Sequence, residues 1–247
     1  LLEKRAEVFE EALARFRTAL DYWCRADYPY GVAAAYANIG NTYLSWGNQL
    51  RDARLTTEAR SRYRRAVEWL ARCLEFGAGA RLGEDTSEAQ VALAEAFVGL
   101  DERGRAWEMA RAARDVAQKA GNQLDLASAL AVMASVLWLK GDREEAAACA
   151  EDAAARFDRL GHPARAVKIR QGLKKKALFF PSEIEYYPRT DGSPQVRFSR
   201  RRERDMSSGR SLDLLCTNSL TSPRPLPLFA DSARLAPTDA ELPGIEV

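Results

Sequence analysis

The chain has 247 residues, 47% of them hydrophobic and 29% charged, with 37 basic side chains against 35 acidic ones. That length bounds the molecule at one or two domains, and the composition excludes a disordered polyelectrolyte. A net charge of +2 is too balanced for a protein whose main partner is a polyphosphate backbone, so nucleic acid is a disfavoured partner.

In chain order, Leu1-Leu2-Glu3-Lys4-Arg5 carries neither an initiator Met nor the apolar core of a signal sequence. The expectation is a segment of a longer chain, or one missing its start, located in the cytoplasm. Cys24, Cys73, Cys149 and Cys216 stand too far apart for a metal-ligand pair or a dense disulfide framework, which suits reduced thiols. No run approaches 18 uninterrupted apolar residues; the longest candidate, Leu124 to Leu139, is alanine-rich and contains Asp125, so no membrane span is expected.

The composition breaks near Lys174-Lys175-Lys176. Trp23, Trp46, Trp69, Trp107 and Trp138 all precede that point, while Pro181, Pro188, Pro194, Pro223, Pro225, Pro227, Pro237 and Pro243 follow it. Tryptophan marks a core, and regular helices do not survive that density of proline. Residues 1–176 are therefore expected to form a folded body, and 177–247 a largely irregular, mostly disordered tail or the start of a further domain. Within the body Ala, Leu, Glu and Arg dominate and the apolar period is helical. Glycine and proline mark the joints: Asp27-Tyr28-Pro29, Gly47-Asn48, Gly77-Ala78-Gly79, Gly104, Gly121-Asn122, Gly141-Asp142 and Gly161-His162-Pro163. Cutting there predicts about eight helices and an all-α body.

The helices repeat. Every second one carries two small residues flanking a third position: Ala12, Phe16, Ala19; Ala59, Tyr63, Ala66; Ala106, Ala110, Ala113; Ala146, Ala150, Ala153. Offsets of four and three place each trio on one helical face, a seam against which another helix packs closely. The alternate helices have their own pattern, clearest at Tyr36, Ile39, Gly40, Tyr43 and Gly47, with Gly47 expected to end the helix. Met133, Ala134, Leu137 and Gly141 repeat it, with Asp142 as the next N-cap; Leu93, Ala94 and Phe97 keep the register, but Asp101 stands where the terminal glycine should be. Each unit buries its apolar face only against its neighbours. The plain alternative is a helical bundle whose Ala spacing is coincidental.

The run Tyr36-x2-Ile39-Gly40-x2-Tyr43-x3-Gly47 followed by Ala59-x3-Tyr63-x2-Ala66 resembles the tetratricopeptide repeat, over residues 5 to about 160. The steps here are longer than that family's period, as in the extended repeats of bacterial signalling and regulatory proteins. The resemblance implies an α-solenoid of antiparallel helix pairs whose first helices line a concave groove. Carried over position by position, it assigns Asn41, Leu44, Ser45, Glu88, Val91, Glu95, Ser135 and Trp138 as partner contacts. No Lys or Arg occupies these positions, so a carboxylate clamp is not expected; an amphipathic helix or extended segment with a basic residue fits better. The same residues also admit a structural reading, Trp138 packing beneath the next helix and Glu88 with Glu95 lying on a solvated face.

Nothing in the sequence builds a catalytic site. His162 sits alone between Gly161 and Pro163, and no phosphate loop, H-E-x2-H or C-x2-C is present. The chain is expected to be no enzyme and to need no cofactor or metal. In the tail, Arg197, Arg200, Arg201, Arg202 and Arg204 form a basic run that reads either as a contact for an anionic partner or as a solvated linker. Ser222-Pro223-Arg224-Pro225-Leu226-Pro227 reads as a spacer or a docking motif, and Ser211–Cys216 as a strand or a transient helix. The functional expectation is a protein-binding adaptor or scaffold whose partner is a protein or peptide, with self-association an open option. The alternative is a sensor or autoinhibitory arm of a larger signalling or transcription-regulatory protein.

Overall fold

A computed structural model describes residues 2–79, 86–175 and the two short pieces 187–188 and 194–195. Cys216, the arginine run at 197–204 and the proline motif at 222–227 lie outside the described residues. The protein is all-α, with eight helices among the described residues: α1 (Leu2–Arg25), α2 (Pro29–Asp52), α3 (Thr56–Gly79), α4 (Thr86–Leu100), α5 (Arg103–Lys119), α6 (Gln123–Lys140), α7 (Arg143–Arg159) and α8 (Pro163–Lys175). Tyr187 and Pro188 pair antiparallel with Gln195 and Pro194.

Helix character alternates. α3, α5 and α7 bury one narrow alanine-centred stripe and leave the rest polar, whereas α4 and α6 are apolar on nearly every side and are buried accordingly. Each helix packs on its chain neighbours, and α2 on α4 and α4 on α6 besides. Two polar bonds tie this inner set: Asn48 Nδ2 donates to Glu95 Oε1 at 3.1 Å between α2 and α4, and Ser87 Oγ donates to Asp125 Oδ2 at 2.5 Å between α4 and α6.

One backbone device makes every described joint between helices. Asp27, Arg54, Asp101, Gly121, Gly141 and Gly161 all have φ between 51° and 99°, and at each the following N–H bonds to the carbonyl five residues back. Leu55 thus donates to Leu50 at 2.9 Å, Glu102 to Phe97 at 2.9 Å and Asp142 to Leu137 at 3.1 Å. This is the Schellman closure, which satisfies carbonyls that the helix end would otherwise orphan.

Several expected joints move. Gly47-Asn48 is no joint: α2 runs on to Asp52 and turns at Arg54, because Gly47 serves close packing, its Cα facing the Tyr63 ring. Gly104 lies inside the first turn of α5, the joint being Asp101-Glu102, and α3 continues through Gly77 to Gly79. Asp101 does take the left-handed conformation expected of a glycine. Asp142 holds the N-cap position of α7 without a side-chain cap bond, whereas Asn122 caps α6 by accepting from the Asp125 N–H at 3.2 Å. α6 is, by length and composition, apolar enough to cross a membrane, with mean hydropathy 1.3; counting uninterrupted apolar residues missed it. Its sides are taken up by α4, α5 and α7, and 61% of it is buried inside the fold.

Candidate functional site

The inner helices carry the residues assigned as partner contacts, and the packing divides them. Leu44 and Glu95 are 0% exposed, Ser135 1% and Val91 5%, so these four belong to the interior and present nothing to a partner. Glu95 therefore does not lie on a solvated face; it accepts from Asn48 in the interior. Glu88 is exposed in the first turn of α4, while Asn41, Ser45 and Trp138 are half-buried. Trp138 packs against the cluster of Ala127, Ala131, Ala150, Ala153 and Phe157, and the Arg143 guanidinium lies 3.8 Å from its ring centroid. It thus packs under the next helix, as the structural reading had it.

The repeat register explains the division. The left-handed residues that close the inner helices are Arg54, Asp101 and Gly141. Six positions before each stand Asn48, Glu95 and Ser135, a polar residue at the same register in all three helices and buried in each. Anchoring the first repeat on Gly47 instead of Arg54 slid it by seven residues. Seven residues is about two helical turns, so the face came out right and the depth wrong. Asn48, not Asn41, is the counterpart of Glu95.

Sequence reasoning therefore missed the centre of the arrangement. Tyr63, 1% exposed, reaches in from α3 and donates its hydroxyl to Asn48 Oδ1 at 2.8 Å, and Asn48 donates on to Glu95. The ring lies between two glycines: a Cβ at Gly47 would stand 2.7 Å from one edge, and a Cβ at Gly99 2.5 Å from the other. Burial pushes the Tyr63 hydroxyl well above its ordinary pKa, with Arg51 opposing the shift. Asn48 and Glu95 lie 47 residues apart, the step between the first alanine seams, and that coincidence was the available signal.

Towards the other end of α2, Asn41 and Ser45 stand on the same face as Asn48, two turns and one turn away respectively. The Asn41 Oδ1 is buried and has no hydrogen-bond partner. Among the described residues no group of three or more His, Cys, Asp or Glu side chains is placed to hold a metal ion. His162 is half-buried in the α7–α8 turn, where its carbonyl accepts from the Arg165 N–H at 3.1 Å. The arrangement brings amide, hydroxyl and carboxylate groups together on apolar helices. Comparison with protein-family models, with curated proteins and with solved structures gives no significant match to this chain.

Proposed function

We propose that the chain is a protein-binding adaptor, an α-solenoid of a leading second-type helix, α1, and the tetratricopeptide-like pairs α2–α3, α4–α5 and α6–α7. A segment of the partner lies along the Asn41–Ser45 face of α2, with the Glu88 carboxylate favouring a basic residue nearby. Its work is binding by a preformed surface and not covalent chemistry. The equal spacing of the alanine seams and of the left-handed residues, 47 and then 40 residues, supports the paired-helix reading. The packing of α2 on α4 and α4 on α6 supports it too.

The observation that carries the binding reading is the Asn41 carbonyl oxygen. A buried acceptor without a donor costs about 1–3 kcal/mol. It is retained at low cost only where a donor arrives, and the backbone N–H of a bound segment is such a donor. A photo-cross-linking residue placed at Ser45, with Arg60 on the exposed side of α3 as control, tests this in cells. The expected result is a discrete protein adduct from position 45 that is absent from position 60 and lost with Asn41→Leu. Equal labelling from both positions, or an adduct indifferent to Asn41→Leu, would overturn the reading.

A further inference from the structure

The buried network around Tyr63 has a second, incomplete version two helical turns away. Gly47 meets the Tyr63 ring and Gly40 meets Leu70, so α2 and α3 run antiparallel; Tyr63 also meets Gly99, and Thr86 lies beside Gly77, so α3 and α4 do too. α2 and α4 therefore run parallel. The 47-residue offset of the Asn48–Glu95 bond then sets Asn41 opposite Glu88, seven residues earlier on both helices and on the same faces. Ser128 stands seven residues before Ser135 on α6, so the Asn, Glu, Ser row recurs residue for residue. A separate contact holds Glu88 near α2: burial, and then the Glu88 carboxylate, push the Cys73 thiol up, and Cys73 Sγ donates to the Ala33 carbonyl of α2 at 3.4 Å. One member differs between the rows. Where the deep row has Tyr63, whose hydroxyl donates to Asn48 Oδ1 at 2.8 Å, the outer row has Leu70, which has no proton to donate. Asn41 Oδ1 is the acceptor that this leaves buried without a partner. The deep row is closed to solvent, with Glu95 at 0%, whereas Glu88 is exposed, so the outer row is open to a donor from outside the fold.

We propose that Asn41 and Glu88 form a subsite for an arginine side chain of the partner segment, its guanidinium donating at once to Asn41 Oδ1 and to the Glu88 carboxylate. The inference rests on the binding reading above and takes the donor at Asn41 to be a side chain. The two acceptors stand on neighbouring helices, one neutral and buried, the other charged and exposed. A planar fork of five N–H groups can span such a pair and neutralise its charged member. The chain already uses this arrangement elsewhere. Arg156 Nε donates to Asp152 Oδ1 at 3.0 Å and its Nη1 to Gln123 Oε1 of α6 at 3.2 Å, so one guanidinium joins a carboxylate and an amide oxygen across two helices. A lysine ammonium, a more strongly hydrated point charge, loses more on reaching a buried amide oxygen, so arginine is preferred to lysine.

Titration of the full chain with Nα-acetyl-arginine methylamide, followed by saturation-transfer NMR, tests the subsite, with the lysine and citrulline counterparts as controls. The arginine probe should bind about fivefold tighter than either control. Asn41→Leu and Glu88→Gln should each bring its affinity down to that of the controls. Both variants should keep the fold, since Glu88 is exposed and Asn41→Leu removes an unsatisfied acceptor. Equal binding of the arginine and lysine probes, arginine binding indifferent to either substitution, or no binding of the arginine probe would each overturn the proposal. The cross-link from Ser45 reports independently. An adduct without an arginine preference leaves the adaptor reading standing and removes the guanidinium, whereas arginine binding without an adduct does the reverse.

Discussion

Between α1 and α4 four glycines lie inside helices with a large side chain pressed on the backbone: Trp23 on Gly31, Leu70 on Gly40, and Tyr63 on both Gly47 and Gly99. From α5 onward Gly121, Gly141 and Gly161 stand at the joints with open space around them, and the helices meet alanine on alanine, as in the cluster of Ala127, Ala131, Ala134, Ala150, Ala153 and Ala166. The joints of the front part turn on Asp27, Arg54 and Asp101 instead. The same backbone geometry is thus reached in two ways, and the missing Cβ is used for close approach in one region and for a left-handed turn in the other. Substitutions at glycine should therefore act by different means in the two regions, through overpacking against a ring in the first and through left-handed backbone strain in the second.

The largest effect is expected where a ring fills the glycine's place. Gly→Ala in an ordinary helix interior stabilises by about 1 kcal/mol. At Gly99 the new Cβ would meet the Tyr63 ring at 2.5 Å, and overpacking of this kind costs about 1–3 kcal/mol, which reverses the sign. Urea unfolding of Gly99→Ala should show a lower midpoint at unchanged slope, and Tyr63→Ala in the same chain should relieve most of the additional loss. A stabilised Gly99→Ala would break the comparison at its strongest point.

Next comes the hydroxyl that the two glycines admit. Tyr63→Phe leaves Asn48 Oδ1 without its donor in the interior and should cost about 1–3 kcal/mol. It should also alter the alkaline limb of stability. Burial pushes the thiols of Cys73 and Cys149 up, to about 12 and about 11, and raises the Tyr63 hydroxyl as well. For such acids the unfolded chain loses its proton first. Their stability contribution is therefore complete below pH 9 and falls as pH rises beyond it, by up to about 1.4 kcal/mol per unit per group. In Tyr63→Phe the decline that sets in above pH 10 should be shallower than in the native chain, measured by urea midpoints from pH 8 to 11.

How much of this was legible in the sequence follows from what each glycine does. Gly121, Gly141 and Gly161 sit at left-handed joints, so the last three helices could be cut correctly from composition alone. The alanine seams were legible because small residues at offsets of four and three have one reading on a helix. Gly47 carried no such mark: a glycine against a ring and a glycine at a turn look alike in sequence, and only the tertiary contact separates them. That ambiguity moved the first inner helix by two turns, put Asn41 in the place of Asn48, and hid Tyr63 among ordinary seam residues. Burial of Leu44, Val91, Glu95 and Ser135 was illegible for a related reason, since a helix apolar on all sides has no face to orient it.

At the joints the comparison can be sharpened by exchanging the two solutions. Gly141→Ala forces a side chain into φ 99° and should cost about 1–2 kcal/mol by thermal or urea unfolding. The reverse change has the opposite sign and is smaller, because glycine also adds freedom to the unfolded chain. Arg54→Gly should gain about 0.5–1 kcal/mol, the left-handed strain relieved less that entropy. Asp101→Gly should gain less, since its carboxylate accepts from Arg103 Nε at 2.8 Å and the exposed pair contributes a few tenths of a kcal/mol that the change removes. The order of these two gains separates backbone strain from ion pairing: if Asp101→Gly stabilises more than Arg54→Gly, the pair contributes nothing and the turn alone sets the balance.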